Sequence, residues 1–359
     1  MGVDWRAVRG SYRAQLEQQA QASGGYLSQE IFLDIMYDCL AEFRQVGHLY
    51  IIRPSSWRDW GDNWLSFGDG TLWRAMGELV RNPRSEQFYT HWEEFTARDA
   101  LKQHARYFWI NGGEVSPALT VGMLNGRVPY MKISTFSSSA WTDDVYGAVS
   151  EFLSSIGDEE NLIIDVRGNQ GGSMEPWLSM ISALTCETLT CNMFLAAKSG
   201  SLNLALNPRL GSSLGTVYED DSWREDFPYI QPEYVNGMDM LFKYTMTAEP
   251  ADESAGFYGK IWVLVDEWCY SATDNFAVFC KDTGFATLVG TTTGGNGIGA
   301  QPHVMVLPYS GLVVYYEPYL SFNPDGTCNG IRGTQPDVVC RNGQSALDDC
   351  FDLILAEKK

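Results

Sequence analysis

The 359-residue sequence contains no run of eighteen apolar residues, so no segment reads as a membrane-spanning helix. Its N-terminus, Met1-Gly-Val-Asp-Trp-Arg, lacks the basic-then-apolar order of a secretion signal. As it stands the chain is expected to remain cytoplasmic, and to be exported only if a signal has been removed. Basic residues are scarce, with 25 Lys+Arg against 45 Asp+Glu, a formal net charge of -20, and no Lys/Arg-rich run. Such a chain repels phosphate backbones and anionic lipid surfaces, which argues against nucleic acid and charged membranes as partners. The four histidines (His48, His91, His104, His303) form no His-x-x-x-His pair and the eight cysteines no Cys-x-x-Cys, so a metal site has no support. Eight scattered cysteines are not disulfide-scaffold density, although an even count leaves some bridges open. No internal repeat or low-complexity block is present.

What is present is a change of texture along the chain. Trp5, Val8, Tyr12 and Leu16 recur at helical spacing, as do Ile31, Ile35, Cys39, Leu40 and Phe43 after the Gly24-Gly25 break. Residues 1–50 therefore read as an N-terminal helical module. Residues 51–112 crowd aromatic side chains, among them Trp57, Trp60, Trp64, Phe67, Trp73, Phe88, Tyr89, Trp92, Phe95, Tyr107, Phe108 and Trp109. They read as an insertion or cap whose rings either fill a core or line a substrate groove. From 113 to 359 strand and helix patterns alternate, which predicts an α/β core with a mostly parallel sheet and crossover helices. Leu119–Leu124 and Val128–Ile133 flank an Asn125-Gly126 hairpin signal, and Leu162–Val166 and Ile261–Val265 are buried-strand runs. Helices are expected near 142–156, 176–184, 271–281 and 345–356, and 199–238 reads as a long loop or lid.

Three strand ends carry unusual residues, and in such sheets sites lie at the carboxyl ends of strands. The first is Asp165-Val-Arg-Gly-Asn-Gln-Gly171-Gly172-Ser173, whose glycines suit either a tight turn or a backbone anion nest. In the second, Asp266-Glu-Trp-Cys-Tyr-Ser271-Ala272-Thr273-Asp274, Ser271 meets a helix N-terminus where the Ala272 N–H is an orphan donor. The same residues also suit an N-cap, with Asp274 completing something close to a capping box. The third, Gly290-Thr-Thr-Thr-Gly294-Gly295-Asn296-Gly297-Ile-Gly299, has Asn296 where a phosphate loop needs lysine, so a P-loop is rejected.

Taken together these loops resemble the S41 serine peptidases, the C-terminal processing and tricorn-type proteases. Pro324-Asp-Gly326, Gly333-Thr-Gln-Pro-Asp337 and the helical text ending at Gly47-His48 extend the resemblance. It implies a ClpP/crotonase-like core, a peptide or unfolded-protein substrate, no cofactor, and Ser271 as nucleophile. In the processing branch the base is a lysine whose place Asn296 holds, so that dyad is absent. In the tricorn-like branch the base is a histidine, and His48 sits in the matching motif, with Val46 replacing its usual aspartate. The residue orienting that histidine falls on Asn329, with Glu317 as a fallback. The Ala272 N–H, with that of Gly171 or Gly172, would hold the oxyanion. Neither PDZ signature of many members occurs between residues 49 and 112, so the aromatic-rich segment is expected to select substrates instead. The rival expectation is a non-catalytic peptide-binding relative; an acyl transfer on a thioester ranks last for want of a coenzyme A signature. Oligomeric state is left open by the sequence.

Overall fold

The structure is a computed structural model that describes residues 4–43, 48–52, 54–96, 114–206, 215–252, 256–299, 301–340 and 346–357. Tyr107, Phe108 and Trp109, and the Val46-Gly47 pair before His48, lie outside the described residues, as does 207–214 of the expected lid. In chain order the elements begin with α1 (Trp5–Ala22), α2 (Gln29–Ala41), β1 (Tyr50–Ile51), α3 (Pro54–Leu65), α4 (Leu72–Val80) and α5 (Pro83–Thr96). Then follow β2 (Glu114–Ser116), β3 (Leu119–Leu124), β4 (Val128–Ile133), α6 (Asp143–Ser155), β5 (Asn161–Asp165), α7 (Glu175–Leu184) and β6 (Leu189–Ala197). Next come α8 (Ser201–Leu206), β7 (Thr216–Tyr218), α9 (Trp223–Asp226), α10 (Pro232–Val235), β8 (Met240–Ala248), β9 (Lys260–Val265) and α11 (Ala272–Thr283). The chain closes with β10 (Thr287–Gly290), β11 (His303–Val306), β12 (Val313–Tyr316), β13 (Tyr319–Phe322), α12 (Asn329–Arg332), β14 (Val338–Val339) and α13 (Ala346–Glu357). Two compact units divide these elements: Met1–His104 with Ser199–Leu210 and Gln301–Pro318, and Ala105–Lys198 with Gly211–Ala300 and Tyr319–Lys359.

In the first unit the helices start where the sequence supplies caps. The Asp4 carboxylate accepts the N–H groups of Arg6 and Ala7, and the hydroxyls of Ser28 and Thr71 accept those of Ile31 and Arg74. Proline opens α3 and α5, where its missing N–H costs nothing. The antiparallel sheet β1-β12-β11 pairs Tyr50 with Tyr315 and His303 with Tyr316. Trp57, Trp64, Phe88 and Tyr89 are buried in one core with Ile52, Val304 and Val313, so these rings fill a core. Trp57 stacks on Tyr89 at 5.0 Å, and its indole N–H donates to the Val80 carbonyl at 2.8 Å.

The second unit is built on a seven-stranded sheet of order β14-β10-β9-β5-β4-β3-β2, parallel from β14 to β4 and antiparallel beyond. Its central strands β5 and β9 are apolar almost throughout because both faces are covered. Helix α6 carries the chain from β4 to β5, α11 carries it from β9 to β10, and α13 packs Cys350 and Ile354 against Trp262 and Leu264. Asn125 and Gly126 both take positive φ (52° and 65°), the geometry that closes a two-residue hairpin.

A second sheet of order β13-β6-β8-β7 is antiparallel, with β6 and β8 paired over nine residues from Leu189↔Ala248 to Ala197↔Met240. The sequence reading assigns no element to β8, although Phe242, Tyr244, Met246 and Ala248 alternate with Lys243, Thr245 and Thr247, the period-two pattern of a half-buried strand. Residues 215–238 differ from the expected loop: Trp223, Phe227, Ile230 and Val235 are buried against Phe194 and Phe322. No described helix is long and apolar enough to cross a membrane. Among the described residues no disulfide joins any of the cysteines.

Candidate active site

The carboxyl ends of β5, β9 and β10 deliver the three glycine- and polar-rich segments to one place. Each is bonded to the next: Tyr270 N–H donates to the Asn169 carbonyl (3.2 Å), Gly294 N–H to Cys269 (2.8 Å) and Ser271 N–H to Gly295 (3.0 Å). The buried Cys269 and the Asp266 carboxylate, which accepts the Gly168 and Trp268 N–H groups, pin the turn that leads into Ser271.

Ser271 precedes the first residue of α11 with φ 55° and ψ −126°, a conformation uncommon for a residue with a Cβ. The capping-box geometry is absent in both arms. The Ser271 hydroxyl makes no cap hydrogen bond, and its N–H goes to Gly295 instead of the Asp274 carboxylate. Neither the Ser271 hydroxyl nor the Ala272 N–H has a hydrogen-bond partner among the described residues. A strained serine that does not cap its helix leaves its oxygen over the positive end of the helix.

Gly171 (φ 101°) lies so close that a Cβ there would meet the Tyr270 carbonyl at 2.6 Å and the Ala272 nitrogen and Ser271 Cβ at 2.9 Å. Gly172 bridges Phe136 in parallel fashion, with Phe136 N–H to the Gly171 carbonyl (3.0 Å) and Ser173 N–H to the Phe136 carbonyl (2.8 Å). The two glycines differ in availability. The Gly171 N–H donates to Asn169 Oδ1 at 2.9 Å, whereas the Gly172 N–H has no partner among the described residues.

Asp274 does different work from the one its spacing suggests. Fully buried on α11, its carboxylate accepts from Thr293, from Thr334 (2.7 Å), from the Asn329 amide (2.7 Å) and from Gly297 N–H (3.1 Å). Burial pushes its pKa upward, against those four donors. Asn329 divides its two amide hydrogens between Asp274 and Asn323 (2.9 Å), and its oxygen accepts Gly297 N–H (3.0 Å). Asn329 is thereby committed to the web behind α11. Asn296, also at positive φ, donates to the Tyr270 hydroxyl at 2.9 Å.

In the other unit His48 is buried at φ 53°, and its Nδ1 lies 3.4 Å from Glu317 Oε2, a long contact between two buried side chains. Tyr315 meets the imidazole edge-on at 6.0 Å. The carboxylate beside His48 is thus that of Glu317, and the amide expected there, Asn329, is held by Asp274 and Asn323. Glu317 directly follows β12, two residues after the Tyr315 that pairs with Tyr50 and meets the His48 ring.

Beneath the glycine loop, Asp165 is buried with its oxygens on the Tyr130 hydroxyl (2.7 Å), the Arg167 guanidinium (2.7 and 2.9 Å) and Lys132 (3.3 Å). Burial alone would raise its pKa. The Arg167 hydrogen bonds, then the charges of Lys132 and Arg167 and the Tyr130 hydroxyl, outweigh it and hold the carboxyl below its ordinary value. Among the described residues no three His, Cys, Asp or Glu side chains gather to hold a metal ion.

Residues 127–340 match the family model of peptidase family S41. The chain belongs to peptidase family S41. The matched segment contains Ser271, both glycines, Glu317 and Asn329, and His48 precedes it. Among solved structures, a protein named as a candidate peptidase from Parabacteroides merdae ATCC 43184 is 17% identical with TM-score 0.58, over 98% of this chain and 89% of that one. That likeness is one of fold alone. Mature CPAF is 20% identical over 62% of this chain and 49% of its own (TM-score 0.43). Tricorn protease is 16% identical over 65% and 18% (TM-score 0.35). The chain therefore spans about half the length of mature CPAF. No curated protein matches the sequence.

Proposed function

We propose that this S41 member is a serine peptidase that cleaves peptide bonds through an acyl-enzyme on Ser271. The observation that carries the reading is Ser271 itself: a positive-φ serine, unused as a cap, at a helix start where the Ala272 N–H has no partner among the described residues. His48, with Nδ1 turned to Glu317, is the general base assigned to Ser271, leaving Nε2 to take the hydroxyl proton. An unassisted hydroxyl is a poor nucleophile at neutral pH, and a neighbouring imidazole supplies what it lacks. The serine oxygen attacks the carbonyl carbon, and the oxyanion is received by the N–H groups of Ala272 and Gly172. His48 then protonates the departing amine. Water, deprotonated by the same imidazole, attacks the acyl carbon and frees the acid and Ser271. Glu317 stabilises the imidazolium formed at each step, a role in which a carboxylate exceeds an amide.

A second reading, a peptide-binding relative without turnover, draws on Asn296 and Asn329, which stand where other members carry catalytic groups. Labelling with a fluorophosphonate probe, mapped by digestion, separates the two. Stoichiometric modification of Ser271 that is lost in Ser271→Ala and in His48→Ala is expected. A folded wild type that stays unlabelled would decide for the binding relative.

A further inference from the structure

We propose that Asn169 is the positioning residue of the oxyanion hole, selecting the Gly172 N–H as a donor by occupying that of Gly171. The proposal rests on the serine-peptidase reading and adds a residue to it. Asn169 is fully buried, and four bonds fix it. Its N–H closes the turn onto the Val166 carbonyl (3.1 Å) and its carbonyl accepts Tyr270 N–H (3.2 Å). Its side-chain nitrogen donates to the Ile133 carbonyl at the end of β4 (3.3 Å), and its side-chain oxygen accepts Gly171 N–H (2.9 Å). The side-chain amide thus ties the glycine loop to the end of β4, while the main-chain carbonyl ties the same residue to the turn that carries Ser271.

The consequence for the donors follows from the peptide geometry. Gly171 cannot serve an oxyanion while its N–H is bonded inward. The bridge to Phe136 uses the Gly171 carbonyl and the Ser173 N–H, so by the alternation of a strand the Gly172 N–H points to the opposite edge. Its neighbour Gly171 lies against Tyr270, Ser271 and Ala272, so the donor leaves the glycine loop next to the turn that carries the serine. Without the Asn169 acceptor the Gly171 N–H is released to compete for the oxyanion, and the glycine loop that carries the Gly172 donor loses its inner tie and is held by the Phe136 bridge alone. Preorganisation of this kind is where an oxyanion hole derives its effect.

The test compares Asn169→Leu, which removes both side-chain bonds, with Asn169→Ser, which keeps a neutral acceptor for the N–H two residues on. The protein already uses the latter arrangement where Thr135 Oγ1 accepts Ser137 N–H at 3.1 Å. Full-length enzyme is assayed by fluorophosphonate labelling, by peptide hydrolysis and by amide exchange resolved at Gly171 and Gly172. Expected are a Gly171 amide protected in the wild type while that of Gly172 exchanges freely, and a kcat lowered on the order of a hundredfold in Asn169→Leu. KM and the acidic limb of kcat/KM should stay as in the wild type, and Asn169→Ser should remain within tenfold. The proposal fails if folded Asn169→Leu keeps its kcat, if Asn169→Ser is as slow as Asn169→Leu, or if Gly171 exchanges as fast as Gly172. Should Asn169→Leu not fold, Asn169→Ser and the wild-type exchange still decide. Protection at Gly171 in a wild type that never labels at Ser271 would overturn the catalytic role together with the peptidase reading, while leaving the hydrogen bond as structure.

Discussion

At the scale of single residues, geometry makes sharp demands near Ser271. Gly171 combines φ 101° with contacts that a Cβ would violate on three sides, so Gly171→Ala should abolish labelling of Ser271 even where circular dichroism shows a folded chain. Glu317→Gln keeps the shape beside His48 and removes the charge. By analogy with other serine triads, kcat should fall by about a hundredfold to ten-thousandfold while KM is retained. Asn329→Ala should act instead on the web around Asp274, and a lowered melting temperature with an unchanged pH profile would mark that difference. His303 is a separate matter: fully buried, with neither ring nitrogen hydrogen-bonded among the described residues, and its pKa pushed down to about 4 by burial. The unfolded chain takes up that proton near pH 6.5 and the folded one only near 4, so the stability from a neutral His303 is complete above 6.5 and is lost as pH falls towards 4. Unfolding measured by denaturant at several pH values should show this slope, and His303→Leu should flatten it.

At the scale of elements, the ends of β4 and β5 depend on the Asp165 cluster. Arg167→Met leaves a buried carboxylate with Lys132 and Tyr130 alone, and should cost about 3 kcal/mol or more near neutral pH. Because the Asp165 carboxyl is held below its ordinary value, its contribution is complete above that value and vanishes as pH falls through the folded one, so the variant and wild type should converge in acid. These elements also show what can be read in a sequence. Unbroken apolar runs announce β5 and β9, and Asn125-Gly126 announces the hairpin, because burial on both faces and positive φ each demand particular residue types. The three turns were legible for the same reason. The use made of Asp274 was not, since a carboxylate three residues beyond a serine looks the same whether it caps the helix or receives Thr293 and Thr334 from distant loops. Nor was the choice of Glu317 over Asn329, because which carboxylate meets an imidazole depends on strand register.

For the whole molecule, a net charge of -20 sets a field that no single residue controls. Cationic peptides should be favoured over anionic ones of the same apolar content, with kcat/KM for the cationic peptides falling as salt rises from about 10 to 150 mM, over which the screening length shrinks from about 30 to 8 Å. Equal salt dependence for both peptides would show that the field does not reach the site.

The unit holding His48 is assembled from three stretches of chain, and its imidazole and the Glu317 carboxylate stand 269 positions apart. A ribosome makes the histidine early and the glutamate near the end. His48 can therefore meet Glu317 only after the Ser271 turn has been synthesised, so the buried imidazole waits for almost the whole chain before its carboxylate exists.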